Sequence, residues 1–238
     1  MFEKYERKVC SQNGEDGVLE RIFEILKIKM GFSVEINTSG DIIDTKYLLT
    51  VKKWLGTSVS QYKGVPYRMT PKNIGRILQG DNKFSDISNS INLLIIDVDG
   101  LDFYILDGVL NGGFTPQVIM IEYNASLGFA DSVMPYDENH VWDGTNYFGA
   151  SITALNRLGQ ENGYVLIYAD STGSNLFLVR RDLVKEFKGV ESSVEKIYRP
   201  PAYGENGHPP DKLHREYWPY ERASKVIDKV NRVAELKG

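Results

Sequence analysis

The sequence is short of the residues that build covalent or soft-metal frameworks. One cysteine, Cys10, in 238 residues excludes an internal disulfide and a cysteine zinc site. The three histidines, His140, His208 and His214, are widely separated, which argues against a zinc centre. Long hydrophobic runs are missing too: none reaches ~18 residues, the length of a membrane span. The opening MFEKYERKVC holds no apolar leader. Together these absences lead us to expect a cytoplasmic protein with no membrane partner. Positive charge is not in excess either, since 28 Lys and Arg against 32 Asp and Glu leave a net −4, the wrong sign for a nucleic-acid footprint. The expected partner is therefore a small molecule or a glycan acceptor.

What is present is enough apolar material for a real core, 42% of the chain. The length suits one α/β domain, or a domain with an addition. Fourteen tyrosines are a mild excess of the kind found on sugar-binding surfaces. Apolar residues Val18, Ile22, Ile25 and Leu26 recur at helical spacing and predict a helix over Glu15–Ile28. A strand over Phe32–Ile36 follows, then a helix over Thr45–Trp54 and a strand over Thr57–Tyr62. Pro71 opens a further helix in PKNIGRILQ. Beyond it come a strand at Leu93–Ile96, a short helix at Leu101–Leu110 and a strand at Gln117–Asn124. A helix over Ser151–Gln160 precedes YVLIYAD and SNLFLVRR, two strands joined by STGS as a hairpin. The tail YRPPAYGENGHPP reads as an irregular arm, and Glu221–Leu236 as a final helix. Strands alternating with helices predict a mostly parallel α/β sheet that ends in an antiparallel hairpin. We divide the chain into a domain at 1–185 and a C-terminal arm and helix at 186–238.

The chemistry concentrates where buried strands run out. LLIIDVDGLD places Asp97, Asp99 and Asp102 directly after an apolar run, and a carboxylate taken from water without a partner is costly. Asp102 reads as a helix cap. Asp97 and Asp99 instead face Glu122 and Asn124 at the end of the next strand. Neighbouring strands lie ~4.8 Å apart, so these four can converge on one oxygen-loving cation such as Mg²⁺. Glu35 ends the first strand. His140 lies in MPYDENHVWDGTNYFG with Tyr136, Trp142 and Tyr147, and is the best imidazole base on offer. His208 and His214 read as surface residues, and Cys10 as a packing residue.

SQNGEDGVLERIF, FSVEI, LLIIDVDGLDFYILDGV, VIMIEYN, GASITALNRLGQENGY and NLFLV occur in this order over residues 9–182. In this the chain resembles FkbM-like proteins of the S-adenosyl-L-methionine (AdoMet)-dependent methyltransferase superfamily. The resemblance implies a Rossmann-like methyltransferase fold and O-methyl transfer, often to carbohydrates, with the ligand at the carboxyl ends of the strands. Asp97, Asp99 and His140, singled out above by position and chemistry, are the candidate catalytic residues for the activity this resemblance implies. It also implies AdoMet contacts from Gln12, Asn13, Glu15, Glu35, Asn37, Ser39, Gly40 and Gln61. Two departures stand out. The first loop reads VEINTSGD, with Asn37 where such proteins carry a glycine. The second strand ends near Gln61 in place of an acidic ribose-binding residue, and the link to VPYRM is too short for a parallel crossover. The cofactor half is trimmed, so AdoMet binding is expected to be weak or lost. Two further readings follow: a methyltransferase-fold binding module without AdoMet, and a metal-dependent enzyme of another class.

Overall fold

A computed structural model describes residues 2–41, 43–60, 69–79 and 90–226. The elements, in chain order, are α1 (Glu15–Ile25), β1 (Phe32–Asn37), α2 (Lys46–Thr50), β2 (Leu55–Ser60), α3 (Ile74–Gln79), β3 (Leu93–Asp97), α4 (Asp102–Asn111), β4 (Val118–Glu122), β5 (Ser132–Val133), α5 (Ile152–Glu161), β6 (Tyr164–Ala169), β7 (Asn175–Arg180), α6 (Val194–Ile197), β8 (Trp218–Pro219) and α7 (Tyr220–Ala223). Six strands form one sheet in the order β2-β1-β3-β4-β7-β6. The first four are parallel, and β7 turns antiparallel to both β4 and β6. This is a Rossmann-like α/β fold, with the hairpin where the sequence predicts it.

Strand residues alternate between faces, so each parallel strand feeds two cores. Val34, Ile36, Leu94, Ile96, Ile119 and Ile121 pack on one side, beneath α3, α4 and α5. Leu93, Ile95, Val118 and Met120 pack on the other, beneath α1 with its buried Val18, Leu19, Ile22 and Phe23. Strands buried on both faces read as continuous apolar runs, which is why β3 and β4 were legible.

Two helices stop earlier than their periodicity predicts. Lys27 and Lys53 take φ of +58° and +59°, a left-handed turn that ends the helical path after α1 and shortly after α2. The reading of 57–69 as lacking a parallel strand pair falls partly on residues 61–68, outside the described residues, as does most of the predicted final helix.

The described residues of the arm beyond residue 185 pack onto the cores of the sheet. Ile197, Tyr220 and Ala223 are buried in the same cluster as the strands. β8 pairs antiparallel with β5 (Val133 with Trp218), and the Tyr123 hydroxyl donates to the Arg199 carbonyl at 2.7 Å. The arm thereby folds back over the carboxyl edge of the sheet. Among the described residues, no helix is long and apolar enough to cross a membrane.

Candidate functional site

The register aligns a row of polar residues along that edge. Asn37 pairs with Ser60 on β2 and with Asp97 on β3. Ile96 pairs with Ile121, so Asp97 and Glu122 come next on adjacent strands, and Glu122 pairs with Asn175 on β7. The order of strands reverses between β1 and β3, the place where open α/β sheets bind ligands. A cavity of about 290 Å³ opens there. Its walls carry Glu15, Glu35, Asp44, Asp97, Asp99 and Glu122, and no lysine or arginine among the described residues.

These carboxylates divide into two kinds. Glu35 is satisfied: it accepts from Asn37 Nδ2 (2.9 Å), Ile43 N (3.1 Å), Thr45 N (3.0 Å) and Thr45 Oγ1 (2.6 Å). It therefore moulds the loop after β1. Asp97, Asp99 and Glu122 instead converge, each offering an oxygen within 4.8 Å of the others. Asp99 is held by the Thr38 hydroxyl, from a backbone with φ of +53°. Glu122 Oε2 is buried with no hydrogen-bond partner. Burial, with Asp102 and Asp99 close by, pushes the Asp97 carboxyl up to about 8. Burial and then Asp97 likewise hold Glu122 well above the usual carboxylate range. Groups this short of positive charge fit an oxygen-ligated divalent cation, and the donor set is the hard one Mg²⁺ takes.

The block SQNGEDG splits its work between holding and presenting. Asp16 Oδ2 accepts from the backbone of Val9, Cys10 and Ser11 at 2.9, 2.6 and 2.9 Å, fixing the strap before α1. Gly17 lets that strap approach, since a Cβ there would sit 1.9 Å from the Tyr5 carbonyl. Glu15 accepts from Asn13 N (2.7 Å) and from Asn175 Nδ2 (2.9 Å), tying α1 to the hairpin. Gln12 and Asn13 are left to line the cavity. Cys10 packs at the edge of the second core, as its neighbours in sequence imply.

Of the predicted contacts, Gln12, Asn13, Glu15, Glu35, Asn37 and Ser39 line the cavity with Asp97, Asp99 and Glu122. Gly40 does not: it forms the turn at φ of +83°, donating to Asn37 Oδ1 at 3.2 Å. Gln61 lies outside the described residues. Asn124, read as a metal ligand, braces the loops beyond β4. Its Nδ2 donates to the carbonyls of Asn146 (2.8 Å) and Phe148 (2.9 Å) and to the Tyr217 hydroxyl (3.1 Å), and its Oδ1 caps the next turn through Ser126 N (3.0 Å). Asn124 does not line the cavity.

The histidines exchange roles. His140 packs against Gly100, where a Cβ would meet Nε2 at 2.7 Å, and it does not reach the cavity. His208, read as a surface residue, lines the cavity, its ring edge-on to Trp142 (centroids 4.5 Å) and Phe148 (5.5 Å) and tilted against Tyr203 (4.9 Å). Burial lowers its pKa, opposed by the charge of Asp99. Of the aromatic residues near His140, only Trp142 faces the cavity; Tyr136 packs on Tyr104, and Tyr147 on Tyr217. Asp44, Tyr203 and His208 carry no local signal of this kind and reach the site through the fold. No family model matches the sequence, and no curated protein matches it.

Proposed function

We propose that the chain is an AdoMet-dependent O-methyltransferase acting on a carbohydrate hydroxyl, with a divalent cation such as Mg²⁺ held by Asp97, Asp99 and Glu122. The observation that carries this reading is the convergence of those three carboxylates, one with an orphaned oxygen, at the strand-order switch of a Rossmann-like sheet. The resemblance of SQNGEDG, DVDG and IEYN to FkbM-like proteins supplies the methyl-transfer part. A bound divalent ion would lower the pKa of an acceptor hydroxyl and fix its orientation. The chain's own residues do the rest. Trp142 and Tyr203 offer faces for a sugar ring. His208 lines the cavity, burial lowers its pKa, and in this reading it accepts a proton at an imidazole nitrogen.

AdoMet meets a mixed reception. Its ammonium and sulfonium suit acidic walls, but Asn37 occupies the loop position where a glycine would give room. The Asn37 side chain is also pinned by Glu35, Asp41, Gly40 and Ser60. The cavity, about 290 Å³, is at the small end for ligand sites. These two observations favour the second reading, a cation-dependent module or enzyme of another class on the same fold. Calorimetry separates them. The first reading expects AdoMet to bind weakly, in the high micromolar range or worse. It expects Asn37→Gly with Gln61→Glu to tighten binding, and labelled methyl transfer to sugars to stop on chelation. No AdoMet binding even in the double variant would leave the second reading standing.

A further inference from the structure

The cavity holds a buried carboxylate that neither the metal nor the scaffold uses. Asp44 lines the cavity and is only 8% exposed. An aspartate just ahead of a helix ordinarily caps it. This one does not: Thr45 N and Oγ1 are taken by Glu35, and the Asp44 carboxylate has no hydrogen bond among the described residues. Asp44 also stands outside the trio that could hold a metal. Burial, then the charges of Glu15 and Glu35, hold its carboxyl well above the usual range. The protein therefore keeps a buried carboxyl in the cavity wall with no hydrogen-bond partner among the described residues. A cationic group supplied by a ligand would relieve it. One carboxylate is too few for a second metal ion but enough for an ammonium, whose charge also favours nearby aromatic faces.

We propose that the cavity binds a small amine-bearing molecule whose ammonium pairs with Asp44 and whose carbon frame lies against Trp142 and Tyr203. This deepens the proposed function by naming the acceptor class, hydroxylated amines such as amino sugars, and it rests on that reading only in treating the ligand as an acceptor. Anionic acceptors are disfavoured by the same walls.

The test compares matched probes by calorimetry on the full chain: glucosamine against glucose and N-acetylglucosamine, and ethanolamine against ethylene glycol. Each is titrated with EDTA and again with Mg²⁺. A charge-assisted contact predicts about 10- to 100-fold tighter binding of the amine member of at least one pair. Asp44→Asn should erase that preference, and a melting curve checks that the variant is folded. Equal binding of amine and neutral probes in the wild type overturns the proposal without recourse to any variant. So does a preference that survives Asp44→Asn, or the loss of a second Mg²⁺ equivalent on that substitution. Amine preference without AdoMet binding or methyl transfer would sink the methyltransferase reading alone. Methyl transfer to neutral sugars with no amine preference would sink this inference alone.

Discussion

Asp170 and Asp44 are both buried aspartates at the carboxyl edge of one sheet, and they are opposites. Asp170, in the turn between β6 and β7, accepts from Thr172 N (3.0 Å), Thr172 Oγ1 (2.6 Å), Ser174 N (3.1 Å) and Asn175 N (2.7 Å). Asp44, on the loop before α2, accepts from no group among the described residues. The same contrast separates Asp102, which accepts from Val98 N at 2.9 Å and Gly100 N at 3.0 Å, from Asp97 five residues earlier. A carboxylate surrounded by backbone donors belongs to the scaffold and rigidifies a loop. A buried carboxylate without donors stabilises nothing in the empty protein, and its presence points to a ligand.

The largest effect that would break this contrast is expected at the hairpin. Asp170→Ala leaves four donors without their acceptor and should destabilise the protein by about 3 kcal/mol or more in denaturant unfolding. A loss below about 1 kcal/mol would mean the turn is not held as described. At Glu122 the sign reverses. Glu122→Gln removes a buried group whose charged form is disfavoured by burial and by Asp97, so the metal-free protein should gain stability at pH 8. A loss of stability there would count against the cavity group.

The pH dependence sharpens the comparison further. The Asp97 carboxyl is raised to about 8 in the folded chain from an ordinary value near 3.8. Between those values the folded state binds more protons than the unfolded one, so stability falls as pH rises. Melting temperature with EDTA should therefore decline from pH 5 to pH 8, with a shallower decline in Glu122→Gln. A flat profile would show the cluster to be hydrated or neutralised. The smallest effect is expected at Gln12, which is exposed and faces the cavity without bracing it. Gln12→Ala should shift stability by no more than about 0.5 kcal/mol, whereas Asp16→Ala, in the same block, removes the acceptor of three backbone N–H groups and should be plainly destabilising.

Much of the sheet was legible because its strands are short apolar runs that end in charge. That pattern located β1, β3, β4 and the hairpin, and with them Asp97, Asp99 and Glu122. Helix ends were less legible, since Lys27 and Lys53 adopt left-handed backbone that no residue preference announces. The site beyond the strand ends was hidden for a different reason. Asn124 spends its amide on Tyr217, far along the chain, and His208 arrives on an arm that looks like a linker. The aromatic residues around His140 favour it locally; only the return of the arm over the sheet edge brings His208 to the acids instead. Nothing local singles out Asp44, since Asp-Thr before a helix has the look of a cap. Seeing otherwise required knowing that Glu35 already holds Thr45.

The central claim is that Asp97, Asp99 and Glu122 form a cation site, and a melting experiment with Mg²⁺ or Mn²⁺ at pH 7.5 tests it most directly. An ion at about 100 times its Kd should add about 2.7 kcal/mol, or roughly 5–10 °C in Tm for a chain of this size. The account predicts that rise in the wild type and its disappearance in Asp99→Ala. An unchanged Tm in the wild type, or an equal rise in Asp99→Ala, would contradict it.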